Sequence, residues 1–469
     1  MNMDSTNIKR QQKDYWTLDK QHVIHPYTNF EKFSDEGSVI YAKGKGHHIY
    51  DEQGRAYLDG IAGLWCVNIG HGNEEIAETM AKQSQKLAYY NTFEDASSKP
   101  MAELGEKLAE ISPGALNHVF YGTGGSMGND TAVKIAHYYF NLLGKPNKKK
   151  ILSRDLAYHG STYLAHAITG ISSTHMSFDL PHQLVHYLTA PYTYRNQGDR
   201  TLEEFIDFLV DEMEEAIIKI GPDNIAMFFA EPIMGAGGVI VPPGDYHKRT
   251  HALCKKYDIL YVSDEVVTAF GRLGKMVSSK YLFDVEPDMC VYAKGISSGY
   301  IPLGATMISD QIHQVISKPK KDNPYFSHGF TYSGHALSCQ VGLKNIEILE
   351  RDNFCGHVSK WGPYFEEELG KLSEYGIVGE VRGSHYMLAL EYVQNKETKE
   401  SFAPEVNIGK RVYHHAKQLG LIIRPIGNLN VLSPPLTYDQ KAIDNTINIM
   451  RESIERTIKD LIEEGLWQQ

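Results

Sequence analysis

Lys294 stands at the end of the apolar run MCVYA, directly before the Gly/Ser-rich turn GISSG. Thirty residues upstream, the apolar run ILYVS ends in Asp264-Glu265. Both runs read as short buried strands, which puts an amine and a carboxylate at two strand ends. Such an amine can form a Schiff base with an aldehyde. Such a carboxylate can hold a pyridine nitrogen protonated, so that the ring draws electrons. These are the two demands of pyridoxal phosphate chemistry. A carboxylate pair also suits a metal or Walker-B-like role, but the chain has no Walker A loop to go with it.

Other segments carry compatible chemistry. YGTGGSMGND lies between the run HVFYG and the helical pattern TAVKIAHYYF, so Gly125 and Ser126 open a helix with N–H groups free to face an anion. Its glycines, Gly122, Gly124 and Gly128, give GxGxxxG rather than a dinucleotide GxGxxG, and no GK[ST] follows. In AYHGST, Tyr158 offers a flat face for a ring, and His159 suits either a site or a packing role. Val266, two positions after Asp264, can cover the opposite ring face. Glu231, in FFAEPIMGAGG, fits an active-site carboxylate and a structural cap equally well. Thr331, in HGFTYSGH, can donate to a phosphate, although such clusters also make plain turns.

Positioning these groups requires alternating elements. From about 61 to 325, the helical patterns EEIAETMAKQSQKL, SKPMAELGEKLAEI and TLEEFIDFLVDEMEEAIIKI alternate with the runs HVFYG, KKILS, IAMFFAEP, ILYVSDE, MCVYAKG and ATMIS. This predicts an α/β domain with a mostly parallel sheet and helices on both faces. The lead-in, residues 1–60, predicts a helix around DYWTLDKQHV and short strands turned by DEQG. The C-terminal region predicts two strands in IVGEVRGSHYMLALEYV, a helix ending at Gly420, two strands in LIIRPIGNLNVLSPPL and a long last helix. The expected division is a segment 1–60 packing with the small domain, a large domain 61–330 and a small α+β domain 331–469.

Bulk properties narrow the classes. With 469 residues, 42% hydrophobic and 22% charged, the chain reads as globular. A net charge of −11 argues against nucleic-acid binding, and Lys148-Lys149-Lys150 reads as a solvated loop. The five cysteines (Cys66, Cys254, Cys290, Cys339 and Cys355) are scattered without ligand spacing, which predicts no metal site and a reducing, cytoplasmic setting. The most apolar stretch is broken by Glu231 and Pro232, so no membrane span is expected.

In order and in spacing, GLWCVNIGHG, GGSMGND, YHGST, DEVVTAFGR, AKGISSGYIPLGA and HGFTYSGHALSC resemble the class III (omega) aminotransferases. These are pyridoxal phosphate enzymes of fold type I, and the likeness runs from about Trp16 to the C-terminus. It implies a large domain with a seven-stranded sheet. Lys294 becomes the Schiff-base lysine and proton carrier, Asp264 the pyridine-nitrogen partner, and Tyr158 and Val266 the two ring covers. Gly125 and Ser126 hold the phosphate, joined by Thr331 from a neighbouring subunit of a homodimer or dimer of dimers. Trp65 and Phe93 line the substrate pocket beside Tyr158. Arg424 falls where pyruvate-using members carry a carboxylate-binding arginine.

The resemblance therefore implies transfer of an amino group from a primary amine or omega-amino acid (taurine, β-alanine, a diamine or an aryl amine) to pyruvate. A decarboxylase or aminomutase on the same scaffold is the alternative. Three departures stand out: Met127 and Gly128 where glutamate and alanine are usual, Ala269 and Leu273 where glycine and threonine are common, and Glu94 in a normally apolar stretch.

Overall fold

A computed structural model describes residues 14–319 and 324–468. The seven-stranded sheet at its centre runs, from one edge to the other, Leu116–Gly122, Gly304–Ser309, Met289–Tyr292, Leu260–Asp264, Ile225–Ala230, Lys150–Arg154 and Val185–Leu188. Only Gly304–Ser309 runs against its neighbours; the other pairings are parallel. The sequence showed six of these strands. The seventh, Val185–Leu188, is a half-exposed edge strand whose short VHYL pattern carries little apolar signal.

The central strands are apolar throughout because both faces are covered. In Ile225–Ala230, Met227 and Phe229 pack against Ala132, Val133, Ala136 and Phe140 of the helix Gly125–Leu142. Phe228 and Ala230, pointing the other way, meet Ile206, Val210, Met213 and Ile217 of the helix Leu202–Ile220. That helix starts on a capping box made by Thr201 and Glu204. The alternation along the strand fixes its register, since a one-residue slip would exchange the two faces.

Two four-stranded sheets flank this core. Val378–Ser384, Met387–Tyr392, Leu429–Leu432 and Arg424–Ile426 form an antiparallel one. Tyr41–Lys45, His48–Asp51 and Ala56–Asp59 form the other, with Leu421–Ile422 added in parallel. LIIRPIGNLNVL therefore makes three strands rather than the two expected: Pro425 follows a break at Ile423, and Arg424 turns into a different sheet. In the DEQG turn, Asp51 Oδ1 accepts from the N–H groups of Gln53 and Arg55, and Gly54 takes φ +80°. The helix Tyr15–His22 matches the sequence reading; Phe30–Glu36 was not foreseen. Residues 1–13 of the lead-in lie outside the described residues.

One expectation is overturned here. Lys148 is buried, not solvated: its Nζ donates to the carbonyls of Pro222, Ile225 and Asp258, at 3.1, 3.0 and 2.6 Å. The lysine caps the start of two central strands, and its aliphatic stem crosses the apolar layer to reach them. Among the described residues, no helix is long and apolar enough to cross a membrane.

Candidate active site

Five parallel strands deliver their carboxyl ends to one cavity of about 370 Å³. Ligands of open α/β sheets bind beyond those ends. At the centre is Asp264, the last residue of Leu260–Asp264 and 4% exposed. Its Oδ2 accepts from His159 Nδ1 at 2.8 Å and from Asn129 Nδ2 at 2.8 Å, and its Oδ1 from the Val266 N–H at 3.1 Å. Three donors stabilise a charge that burial alone would penalise. The adjacent Glu265 points away. It binds Thr268 Oγ1 and the N–H groups of Ser278 and Ser279, which makes it a buried loop clamp.

Lys294 follows Met289–Tyr292 through a sharp reversal. Ala293 is extended, whereas Lys294 and Ser298 take φ +47° and +48°. Left-handed backbone at non-glycine residues is strained, and here it aims an amine into the cavity. Burial pushes the Lys294 pKa down, against the upward pull of Asp264, Cys66 and Glu231. A lowered pKa leaves more free amine at neutral pH, which is the nucleophilic form.

The helix Gly125–Leu142 opens on the same cavity with no side-chain cap, so the N–H groups of its first turn have no helical partner. A methyl on Gly125 would meet Val266 Cγ2 at 2.9 Å, and one on Gly128 would meet Val291 Cγ1 at 2.6 Å. An added methyl at either place would force Val266 or Val291 to shift, so both sites favour glycine. Met127 replaces a hydrogen-bonding carboxylate with a thioether that receives the Thr123 hydroxyl at 2.8 Å. The Ser161 N–H donates to Ser126 Oγ at 3.0 Å, tying the YHGST loop to the helix start.

Glu231 is placed where both readings of the sequence put it. It lines the cavity, and its two oxygens receive the Tyr158 N–H at 3.0 Å and the Gly235 N–H at 2.8 Å. Burial raises its pKa, opposed by His159. Behind it, His247 bridges Pro232 and Tyr261: its Nε2–H donates to the Pro232 carbonyl and its Nδ1 accepts from the Tyr261 hydroxyl. Burial holds that histidine at a pKa of about 3, so it stays neutral.

Trp65 lines the cavity, and Arg424 lies next to it, outside the lining. The ring of Trp65 lies 5.1 Å from Lys294 Nζ and 5.7 Å from the Arg424 guanidinium carbon. Arg424 is half-buried, and its Nε has no partner. Burial lowers its pKa, the phenols of Tyr158 and Tyr27 act to raise it, and among the described residues no carboxylate pairs with it.

The family model of aminotransferase class-III matches residues 31–454 of this chain. The chain belongs to the class III aminotransferases. A putrescine–pyruvate aminotransferase of Pseudomonas aeruginosa is 37% identical over 97% of this aminotransferase and 99% of its own length. A mitochondrial gamma-aminobutyrate transaminase of Solanum lycopersicum is 38% identical over 93% and 85%. The solved (S)-enantioselective omega-transaminase of Thermomicrobium roseum superposes with a TM-score of 0.92, at 40% identity, over 95% of this chain and 98% of that one. A PMP-bound aminotransferase of Vibrio fluvialis gives 0.92 at 33% identity, over 95% and 99%.

Class III aminotransferases depend on pyridoxal phosphate, and the donor set of this cavity fits it. A buried carboxylate, a half-buried amine, an open helix start, and Tyr158 and Val266 on the cavity wall all face one space. Sequence reasoning missed Asn129 and Tyr27. Asn129 looks like an ordinary first-turn residue, and only the fold brings it to Asp264. Tyr27, in the N-terminal segment, meets Tyr158 across 131 residues of chain.

Three expected residues are not on the cavity lining: Arg424, which adjoins it over Trp65, and Thr331 and Phe93, which stand apart. Thr331 is exposed, its carbonyl bonded by the Tyr89 hydroxyl at 2.8 Å. Phe93 does not line the Lys294 cavity of its own chain. It borders a separate space of about 610 Å³ with Tyr325, Phe326 and His328, because the strand Leu116–Gly122 carries that segment to the sheet edge. Glu94 beside it receives the Tyr325 hydroxyl at 3.0 Å. Arg272 and Arg382 are both committed elsewhere. Arg272 donates to the carbonyls of Tyr386 and Pro434, and Arg382 to Glu380 and Glu391.

Proposed function

We propose that this aminotransferase takes the amino group of a primary amine or omega-amino acid and passes it to pyruvate, in two half-reactions at one site. When bound, pyridoxal phosphate supplies an aldehyde that carries the amino group and a ring that draws electrons. Around it, Gly125 and Ser126 hold the phosphate at the positive end of their helix. Asp264, kept in place by His159, Asn129 and the Val266 N–H, would be the carboxylate that keeps the ring nitrogen protonated. Tyr158 and Val266, both on the cavity wall, would pack against the ring, and Glu231 fixes Tyr158 through its backbone. Lys294 Nζ, with its lowered pKa, would be the group in this cavity able to take up and return a proton.

The observation that carries the acceptor assignment is Arg424, a half-buried guanidinium with no carboxylate beside it. A buried cation left without a counter-ion is costly, and a substrate carboxylate removes that cost. The likeness to a putrescine–pyruvate aminotransferase supports pyruvate in that place. A planar fork accepts a carboxylate or a sulfonate alike, so β-alanine and taurine fit the same arginine as pyruvate, whereas diamines and aryl amines do not use it.

Arg424→Ala tests this by separating the half-reactions. The apparent KM for pyruvate should rise at least ~tenfold, the worth of a charge-assisted hydrogen bond. Conversion by an uncharged donor such as an aryl amine, followed alone, should change less than about twofold, because no anion needs placing. A variant that keeps its pyruvate KM while losing every donor equally would make Arg424 structural. Arg272 and Arg382 could not take its place, being paired already.

The site is completed by a second copy in this reading, a homodimer or a dimer of dimers. Tyr90, Phe93, Tyr325 and Tyr332 are 61, 52, 70 and 55% exposed, around a face that also carries Thr331. Exposed aromatics in such number on one face mark an interface. Sedimentation of the loaded enzyme should give no monomer at micromolar concentration. A fully active, cofactor-loaded monomer would overturn the assignment of Thr331 to a neighbour's site.

A further inference from the structure

Tyr27 belongs to a segment that the rest of the active site does not need for its geometry. Its two flanking helices, Tyr15–His22 and Phe30–Glu36, contain no buried residue. Yet Tyr27 takes φ +51° and puts its hydroxyl 3.2 Å from the Tyr158 hydroxyl and 3.1 Å from Ser161 Oγ. Tyr158 and Ser161 are themselves 3.1 Å apart, so the three hydroxyls close a triangle. A left-handed tyrosine that lands on a tyrosine of the cavity wall calls for a reason.

The surroundings supply one. Tyr158 and Tyr27 are the phenols whose charge bears on Arg424, and Arg424 itself lies over the Trp65 ring at 5.7 Å with no ion-pair partner among the described residues. In a triangle of three hydroxyls every O–H···O angle is bent, so each bond is weaker than a linear one. One O–H can turn outward at small cost. Tyr27 is the one free to do so: it is 64% exposed, whereas Tyr158 is part of the cavity wall and Ser161 is tied by its N–H to Ser126.

We infer that Tyr27 is a specificity-determining residue whose hydroxyl, held against Tyr158 at the cavity wall, donates a hydrogen bond to the anionic end of a substrate, a carboxylate or sulfonate, that Arg424 binds. This rests on the reading of Arg424 as the anion-binding group and extends it. The guanidinium supplies charge, and the phenol adds a directional donor from the N-terminal segment. The segment then contributes to choosing substrates with an oxoanion over those without one.

Tyr27→Phe deletes the hydroxyl and keeps the ring, at an exposed position where folding is not at risk. With the loaded enzyme, the KM for pyruvate should rise about tenfold, and that for butanal, an acceptor without a carboxylate, should stay within about twofold. Calorimetric binding of propionate, which has a carboxylate but nothing to react, should weaken by a similar factor. Equal changes for pyruvate and butanal, or none for pyruvate and propionate, would overturn the inference. Its failure is distinct from failure of the Arg424 reading: in that case Arg424→Ala itself would leave propionate binding unchanged.

Discussion

Lys294→Ala is expected to abolish transamination with every donor and acceptor. In the proposed function the side chain has two tasks, holding the aldehyde and moving the proton, and a methyl group performs neither. Proton transfer by a positioned side chain is alone worth about 10²–10⁴-fold, so the loss should be at least ~10³-fold. The phosphate turn at Gly125 and the Asp264 cluster do not pass through Lys294, so the variant should still bind cofactor. Borohydride treatment separates the two properties: it should fix the cofactor covalently to the Lys294 peptide in the parent protein and leave it removable by dialysis from the variant. Turnover near that of the parent would end the assignment of this lysine.

How the site came to be legible follows from where its residues lie. Lys294 and Asp264 end apolar runs that have no choice but to be central strands, because a strand covered on both faces needs apolar side chains at every position. Strand ends of such a sheet converge, so the linear order of MCVYAK and ILYVSD already implied nearness in space. The Gly125 turn was legible for a similar reason, as a strand-to-helix joint.

Other residues gave no such signal. Asn129 hydrogen-bonds Asp264 across 135 positions, and no local pattern distinguishes it from a helix-start asparagine. Tyr27 reaches the cavity from a segment of exposed helices with little pattern at all. The helix Phe354–Gly370 runs through Pro363, a residue that reads as a helix break. Lys148 shows the opposite error: three consecutive lysines suggest water, whereas one of them closes the gaps between strand starts with its ammonium group. Burial of a long cationic side chain depends on which carbonyls the fold leaves unpaired, and that is a tertiary property.

Asp264→Asn carries the second large effect and bears on what the carboxylate does. In the parent protein Oδ2 accepts two hydrogen bonds, from His159 and Asn129, and Oδ1 one from the Val266 N–H. An amide offers one oxygen and one NH₂ in that place, so a donor must face a donor somewhere in the cluster. The neutral amide also cannot keep a ring nitrogen protonated, which weakens the electron withdrawal used in both half-reactions. Losing a charge-assisted hydrogen bond at a buried site costs ~1.5–3 kcal/mol, so kcat should fall at least ~tenfold for uncharged donors and for pyruvate alike.

That symmetry distinguishes Asp264 from Arg424, whose removal should spare the uncharged donor. The change also reaches Lys294. The Asp264 carboxylate raises the Lys294 pKa, so its removal lowers that pKa further. Reaction of the cofactor-free variant with a reporter aldehyde should accordingly persist to lower pH than in the parent. Full turnover recovered simply by adding excess cofactor would show that Asp264 only anchors the ring, and its electronic role would have to be given up.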